Sequence, residues 1–174
     1  MKKLRLLLFE ECNRNCEGCC NKDWNLKELP IINYNNHLKF NEFQQILLTG
    51  GEPLIKPEFT ENAIREIRKR CNVSLYIYTA KTDDIYLIKY LLKKLNGITV
   101  TLHDTSDTQH FLKLCKNLFN DDIRDKSLRV NIFKEVTNIK EEQIPFYWQV
   151  KSNIEWIKNC PLPEGETFMR YKHD

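Results

Sequence analysis

A chain of 174 residues with 27 basic and 24 acidic side chains carries a net charge of only +3, and its apolar share is that of an ordinary globular protein. The length bounds about one domain with a core of its own. The balance of charge gives no footprint for nucleic acid or an anionic membrane, and no apolar run approaches the roughly 20 residues of a membrane span. The chain opens with basic residues and a short apolar run ending at Phe9. Acidic Glu10 and Glu11 follow where a leader would place small cleavage-site residues, so the run reads as a first buried strand. Further short apolar runs, rich in Val, Ile and Tyr, stand at 45–48, 73–78, 98–102, 128–133 and 146–150. Most are too continuous to be half exposed, as in a parallel sheet covered by helices.

Helical patterns lie between these runs. Pro57 opens one with Phe59, Ala63, Ile64, Ile67 and Cys71 on a stripe. Thr82 is the expected cap of the next, which carries Ile85, Ile88, Leu91, Leu92 and Leu95 and stops near Asn96-Gly97. Ser106 is the expected cap of a third, with Phe111, Leu112, Cys115, Leu118 and Phe119. A weaker fourth is expected near 138–143, before Ile144-Pro145. Residues 25–41, with Pro30 and several asparagines, leave the first crossover helix short or absent. Strands alternating with helices imply right-handed crossovers and a parallel sheet. Six strands are too few for a closed barrel of about 250 residues. The expected fold is α/β, an open partial (β/α)6 barrel with a curved parallel sheet, over residues 1–160. Residues 161–174 are expected to form an irregular tail packed on that core.

Parallel sheets bind ligands at the carboxyl ends of their strands. Cys12, Gly50-Gly51-Glu52, Thr79, His103-Asp104 and Phe133-Lys134 fall at or just past such ends. Cys12, Cys16 and Cys19 form C-x3-C-x2-C, a set of soft thiolate donors suited to an iron–sulfur cluster or zinc. A structural zinc site wants four ligands, which here would need His37 or Cys160. Cys20 adjoins Cys19 and would point elsewhere. Cys71 and Cys115 fall on apolar stripes as small hydrophobes. Seven cysteines with three tightly grouped favour metal over disulfides, and hence a reducing cytoplasm. Gly50 and Gly51 let the backbone come close to a ligand. Glu52 offers a carboxylate suited to gripping an ammonium group.

Cys12-Asn13-Arg14-Asn15-Cys16-Glu17-Gly18-Cys19, followed by Leu48-Thr49-Gly50-Gly51-Glu52-Pro53-Leu54, resembles the radical S-adenosylmethionine (radical SAM) enzymes. The resemblance implies that Cys12, Cys16 and Cys19 hold three irons of a 4Fe-4S cluster. S-adenosyl-L-methionine would chelate the open iron, its amino group held by Glu52 and the Gly50-Gly51 backbone. One-electron reduction would then release a 5′-deoxyadenosyl radical for hydrogen abstraction, a chemistry of oxidoreductase or lyase type. Gly18, Thr79, His103 and Asn131 are further cofactor-facing candidates, as is the backbone at Trp148-Gln149. No side chain is assigned a catalytic role of its own.

The implied partners are a one-electron donor such as flavodoxin or ferredoxin and an unidentified small-molecule, nucleotide or peptide substrate. Two alternatives stand beside this reading. Gly18-Cys19 and Asn21-Lys22-Asp23-Trp24 resemble the activases that install a radical on a glycyl radical enzyme, although the lead-in of those activases is missing. The other alternative is a non-catalytic zinc or cluster-binding module. Trp24, Tyr34, Tyr147, Trp148 and Trp156 are either core or the lining of a substrate pocket.

Overall fold

The structure is a computed structural model and describes residues 2–33, 40–119 and 122–172. His37 and Tyr34 lie outside the described residues. The chain divides into two compact units, residues 1–77 with 156–174 and residues 78–155.

In the first unit, β1 (Lys3–Leu7) leads into the cysteine loop, which ends in a single helical turn, α1 (Cys20–Asp23). A 3-10 turn at Leu26–Glu28 and a short strand, β2 (Ile31–Asn33), fill the expected gap in the first crossover. Then come β3 (Gln45–Thr49), α2 (Pro57–Arg70), β4 (Ser74–Thr79) and, from the far end of the chain, β8 (Glu166–Lys172). Strand order is β2-β8-β1-β3-β4, all parallel, with Leu4 and Leu6 of β1 and Ile46 and Leu48 of β3 fully buried. Helix α2 starts at Pro57, where a missing N–H costs nothing, and buries Ala63, Ile64 and Ile67 at helical spacing.

The tail therefore departs from expectation. Residues 166–172 are a strand inserted between β1 and β2, with Phe168, Met169 and Tyr171 buried. Arg5 fixes the register by donating from Nη2 and Nε to Glu166 Oε2 at 2.8 and 3.1 Å. A disulfide joins Cys20 to Cys160, with Cα atoms 5.3 Å apart. Cys160 is thereby removed as a fourth ligand for the cysteine trio.

The second unit holds α3 (Ile85–Leu92), β5 (Gly97–Leu102), α4 (Asp107–Leu118), β6 (Ser127–Phe133) and β7 (Trp148–Ile154), in strand order β5-β6-β7 and again parallel. Two caps differ from those expected. Asp84, not Thr82, caps α3, accepting from Leu87 N–H at 3.0 Å, while Thr82 is buried. Ser106 precedes α4 but its hydroxyl caps nothing; the Asp107 carboxylate instead accepts from the N–H groups of His103 and Asp104 at 2.8 and 3.3 Å. The expected fourth helix is a 3-10 turn at Glu141–Gln143 with no buried residue, so no apolar stripe extends it. The fold class is α/β with parallel strands, of the open partial-barrel kind. All six expected strands form, and two more are present among the described residues.

Candidate functional site

Parallel pairing of β1 and β3 does not stop at the strand ends. Leu8 N–H donates to Thr49 O at 2.8 Å, Gly51 N–H to Phe9 O at 2.8 Å, and Glu52 N–H to Glu11 O at 3.0 Å. The two loops leave the sheet bonded to each other. Their closeness accounts for both glycines: a Cβ on Gly50 would stand 2.8 Å from Phe9 O, and one on Gly51 would overlap Glu11 O. Here the glycines admit neighbouring backbone, in addition to any room they give a ligand. Lys56 pairs with Glu11 and lies 5.0 Å over the Phe9 ring, fastening the same two loops from the side.

The loop carrying the thiols is tied at several points. Lys22 Nζ donates to Cys16 O at 2.6 Å and to Asn15 Oδ1 at 2.9 Å. Asn21 Nδ2 donates to Gly50 O at 2.8 Å, linking α1 to the glycine motif. Gly18 lies against the Trp156 ring, where a Cβ would come within 2.5 Å of ring carbons. Trp24 Nε1–H donates to Cys160 O at 3.1 Å. The sequence signals residues 21–24 by likeness to the activases and Trp24 also as an aromatic of core or pocket. The role of Trp156 carries no local signal, because its partner is distant in the chain.

Cys12, Cys16 and Cys19 are reduced thiols; Cys12 is exposed and the other two are half-buried. Protein packed around its sulfur pushes the Cys12 thiol up, and the negative charges of Glu52 and Cys19 act in the same direction. Cys12, Cys19 and Glu52 thus share one electrostatic neighbourhood. Among the described residues no three His, Cys, Asp or Glu side chains are gathered at metal-binding distance. Three thiols on one anchored loop, beside a carboxylate that is 2% exposed, nonetheless form a donor set suited to an iron–sulfur cluster. Glu52 Oε1 accepts from Leu54 N–H at 3.0 Å, capping the 3-10 turn Pro53–Ile55, and Thr60 Oγ1 donates to Pro53 O at 2.6 Å beneath it.

Thr79 ends β4, whose last two residues belong to the second unit; there His103 follows β5 and Asn131 lies on β6. Thr79 is buried and its hydroxyl accepts from Lys81 N–H at 2.9 Å, the bond of a local turn. His103 is half-buried, with its ring centroid 5.1 Å from that of Phe133. Asn131, also half-buried, pairs across the sheet with Thr101 and Lys151. Trp148-Gln149 sit at the amino end of β7, opposite Leu128 and Arg129, and not at a carboxyl end. Trp148 is core against Phe111, and Trp24 packs edge-on to Phe168. Tyr147 donates to Cys115 O at 2.9 Å. Trp148 and Trp24 are thus packing residues, whereas Tyr147 also lines a surface cavity with Phe119 and Phe146.

A parallel α/β fold whose first strand leads into a three-thiol loop, hydrogen-bonded to a Gly-Gly-Glu turn, marks out one class of α/β protein. The family model of the radical SAM superfamily matches residues 6–145, and the chain belongs to that superfamily. Over 125 residues the chain is 28% identical to a protein of Methanococcus aeolicus described as "Probable GTP 3',8-cyclase". The match covers 66% of this chain and 41% of that relative, so the chain spans less than half the length of the curated protein it matches. Among the described residues no helix is long and apolar enough to cross a membrane.

Proposed function

We propose that this chain is a radical SAM enzyme that reductively cleaves S-adenosyl-L-methionine to abstract hydrogen from a substrate. The observation that supports it best is the bonded pair of loops, in which the backbone one residue before Cys12 is hydrogen-bonded to the N–H of the buried Glu52. Cys12, Cys16 and Cys19 would hold a 4Fe-4S cluster, and Glu52 with the Gly50-Gly51 backbone would hold the cofactor's amino group. Bound there, cluster and cofactor supply one-electron cleavage to a 5′-deoxyadenosyl radical. The protein's part is to bind, orient and exclude water. Gly18, Thr79, His103 and Asn131 stay in this proposal as further cofactor contacts.

A one-electron donor such as a flavodoxin or ferredoxin is required. The substrate class stays at small molecule, nucleotide or peptide; the name of the Methanococcus relative favours the nucleotide. The activase reading leaned on Gly18-Cys19, but the Trp156 ring accounts for that glycine without a glycyl radical enzyme. The site of action in this proposal is the cytoplasm. There a disulfide such as Cys20–Cys160 belongs to the thiol-responsive kind.

The test is cofactor cleavage after anaerobic cluster reconstitution, with dithionite and S-adenosyl-L-methionine added and 5′-deoxyadenosine assayed. Product from wild type and none from Cys16→Ala is the expected result. A chain that takes up zinc but neither iron nor sulfide would overturn the reading and favour the structural module.

A further inference from the structure

Residues 156–160 cross the cysteine loop and touch it on both sides of Cys19. On one side the Trp156 ring fills the space a side chain at position 18 would take. On the other, Cys160 is bonded to Cys20, and its carbonyl accepts from Trp24 Nε1–H at 3.1 Å. Three anchors thus bracket residues 18–24, which contain the third thiol of the trio. The crossing segment closes in a turn, with Cys160 N–H donating to Ile157 O at 3.3 Å. Asn159 has φ of 60°, a left-handed value that asparagine readily adopts, whereas Cys160 has φ of 30°, which a cysteine rarely does. Ile157, between Trp156 and Cys160, is exposed, so the segment is not pinned by burial along its length. It is held at its ends, by the ring and by the disulfide.

We propose that residues 156–160 are a positioning strap for the Cys19 end of the thiol loop, and that the Cys20–Cys160 disulfide is its lock. This rests on the reading of Cys12, Cys16 and Cys19 as metal ligands. Trp156 is a positioning residue: it touches Gly18, not the metal. Groups that orient ligands from outside the donor set are typically worth about 10–100-fold in metal affinity. Opening the lock takes two electrons and two protons. A dithiol reductant supplies them and departs as its own disulfide, leaving thiols at Cys20 and Cys160. The released segment can relax the backbone at Cys160 and lift the ring from Gly18. Ligand geometry at Cys19 then depends on the thiol state of the cell.

The experiment uses the full chain and cobalt(II) alone, read by its thiolate charge-transfer absorption. First, cysteines are alkylated in the unreduced, denatured protein: five should label before reduction and seven after, and seven labelled at once would overturn the lock. Cobalt is then titrated into wild type, Trp156→Ala, Trp156→Phe and the pair Cys20→Ser/Cys160→Ser. The serine pair is used instead of reduced wild type because reduction would offer two new thiolates. Trp156→Ala and the serine pair should bind cobalt about tenfold more weakly with altered charge-transfer bands, and Trp156→Phe should recover most of the affinity. Thermal melts of each variant identify any that fail to fold, and Trp156→Phe keeps the ring contact testable if Trp156→Ala does. Equal affinities and spectra across the series would overturn the strap while leaving the ligands intact. Cobalt binding that survives Cys16→Ala would overturn the ligand assignment and the strap with it.

Discussion

The N–H of Glu52 donates to the carbonyl of Glu11 at 3.0 Å, one residue before Cys12. The carboxylate expected to grip a cofactor and the first thiol expected to grip a cluster are therefore joined by main chain, not by adjustable side chains. Backbone geometry of this kind is fixed when the protein folds and needs no reorganisation when ligands arrive.

Gly51 makes this junction possible, and Gly51→Ala tests it. The added methyl would overlap Glu11 O, a backbone atom with no rotamer to escape into. The loops must part, at a cost of about 1–3 kcal/mol. A lowered urea midpoint with an unchanged slope is the expected outcome, together with weaker metal loading at the trio. A variant as stable as wild type would show that the loops separate freely.

The strand-end residues were legible because an apolar run closes where a polar or glycine cluster begins. Cys12, Gly50 to Glu52 and His103 follow their strands, and Thr79 is the last residue of its strand. Strand β8 was not legible. Its segment follows Pro161 and Pro163 and ends in charged residues, and its partners Lys3–Leu7 lie about 160 positions away, a pairing no local pattern encodes. The same distance hid the Trp156 contact with Gly18 and the Cys20–Cys160 pair. Residues 138–143 failed as a helix for the opposite reason: local propensity was there, but no face was buried to reward it.

The disulfide should matter to stability independently of any metal. It closes a loop of sequence separation 140, the regime in which restricting the unfolded chain counts most. Cys20→Ser/Cys160→Ser should lose about 2–4 kcal/mol in urea unfolding. Wild type in excess dithiol should move to the same midpoint. A midpoint insensitive to reductant would mean that the bond restrains little.

Thiol reactivity should sort the cysteines into two groups. In the unreduced folded chain, Cys12, Cys16 and Cys19 should react with a chromogenic disulfide reagent, whereas Cys71 and Cys115 should react only on unfolding, being buried. Burial pushes the Cys115 thiol up to about 12, and Cys71 and Tyr147 are raised by the same cause. Each group is neutral when protonated, so the folded state holds its proton more tightly than the unfolded chain does. The stability these groups contribute is complete below the unfolded thiol value of about 8.5 and is lost as pH rises towards the folded values. The urea midpoint should fall between pH 8 and pH 10.5. Cys115→Ala should start lower, because it leaves a small cavity, and decline less steeply. An identical slope in the variant would remove Cys115 as a cause.

Glu52 caps a turn, and the proposed function gives it a second job that one substitution can separate from the first. Its Oε1 accepts from Leu54 N–H, which stabilises the turn at Pro53–Ile55, and its charge is what an ammonium group would recognise. Glu52→Gln keeps an acceptor oxygen for Leu54 and discards the charge; Glu52→Ala removes both. If the carboxylate only shaped the turn, Gln would match wild type in every respect and Ala alone would be impaired. If it also binds the amino group of S-adenosyl-L-methionine, Gln should unfold at the wild-type urea midpoint yet bind the cofactor about 10–100-fold more weakly, the worth of a hydrogen bond to a charged group. Isothermal titration of the reconstituted protein with S-adenosyl-L-methionine, beside urea melts of all three forms, measures both quantities. A Gln variant with undiminished affinity would move the ammonium contact away from Glu52 and leave it a structural cap.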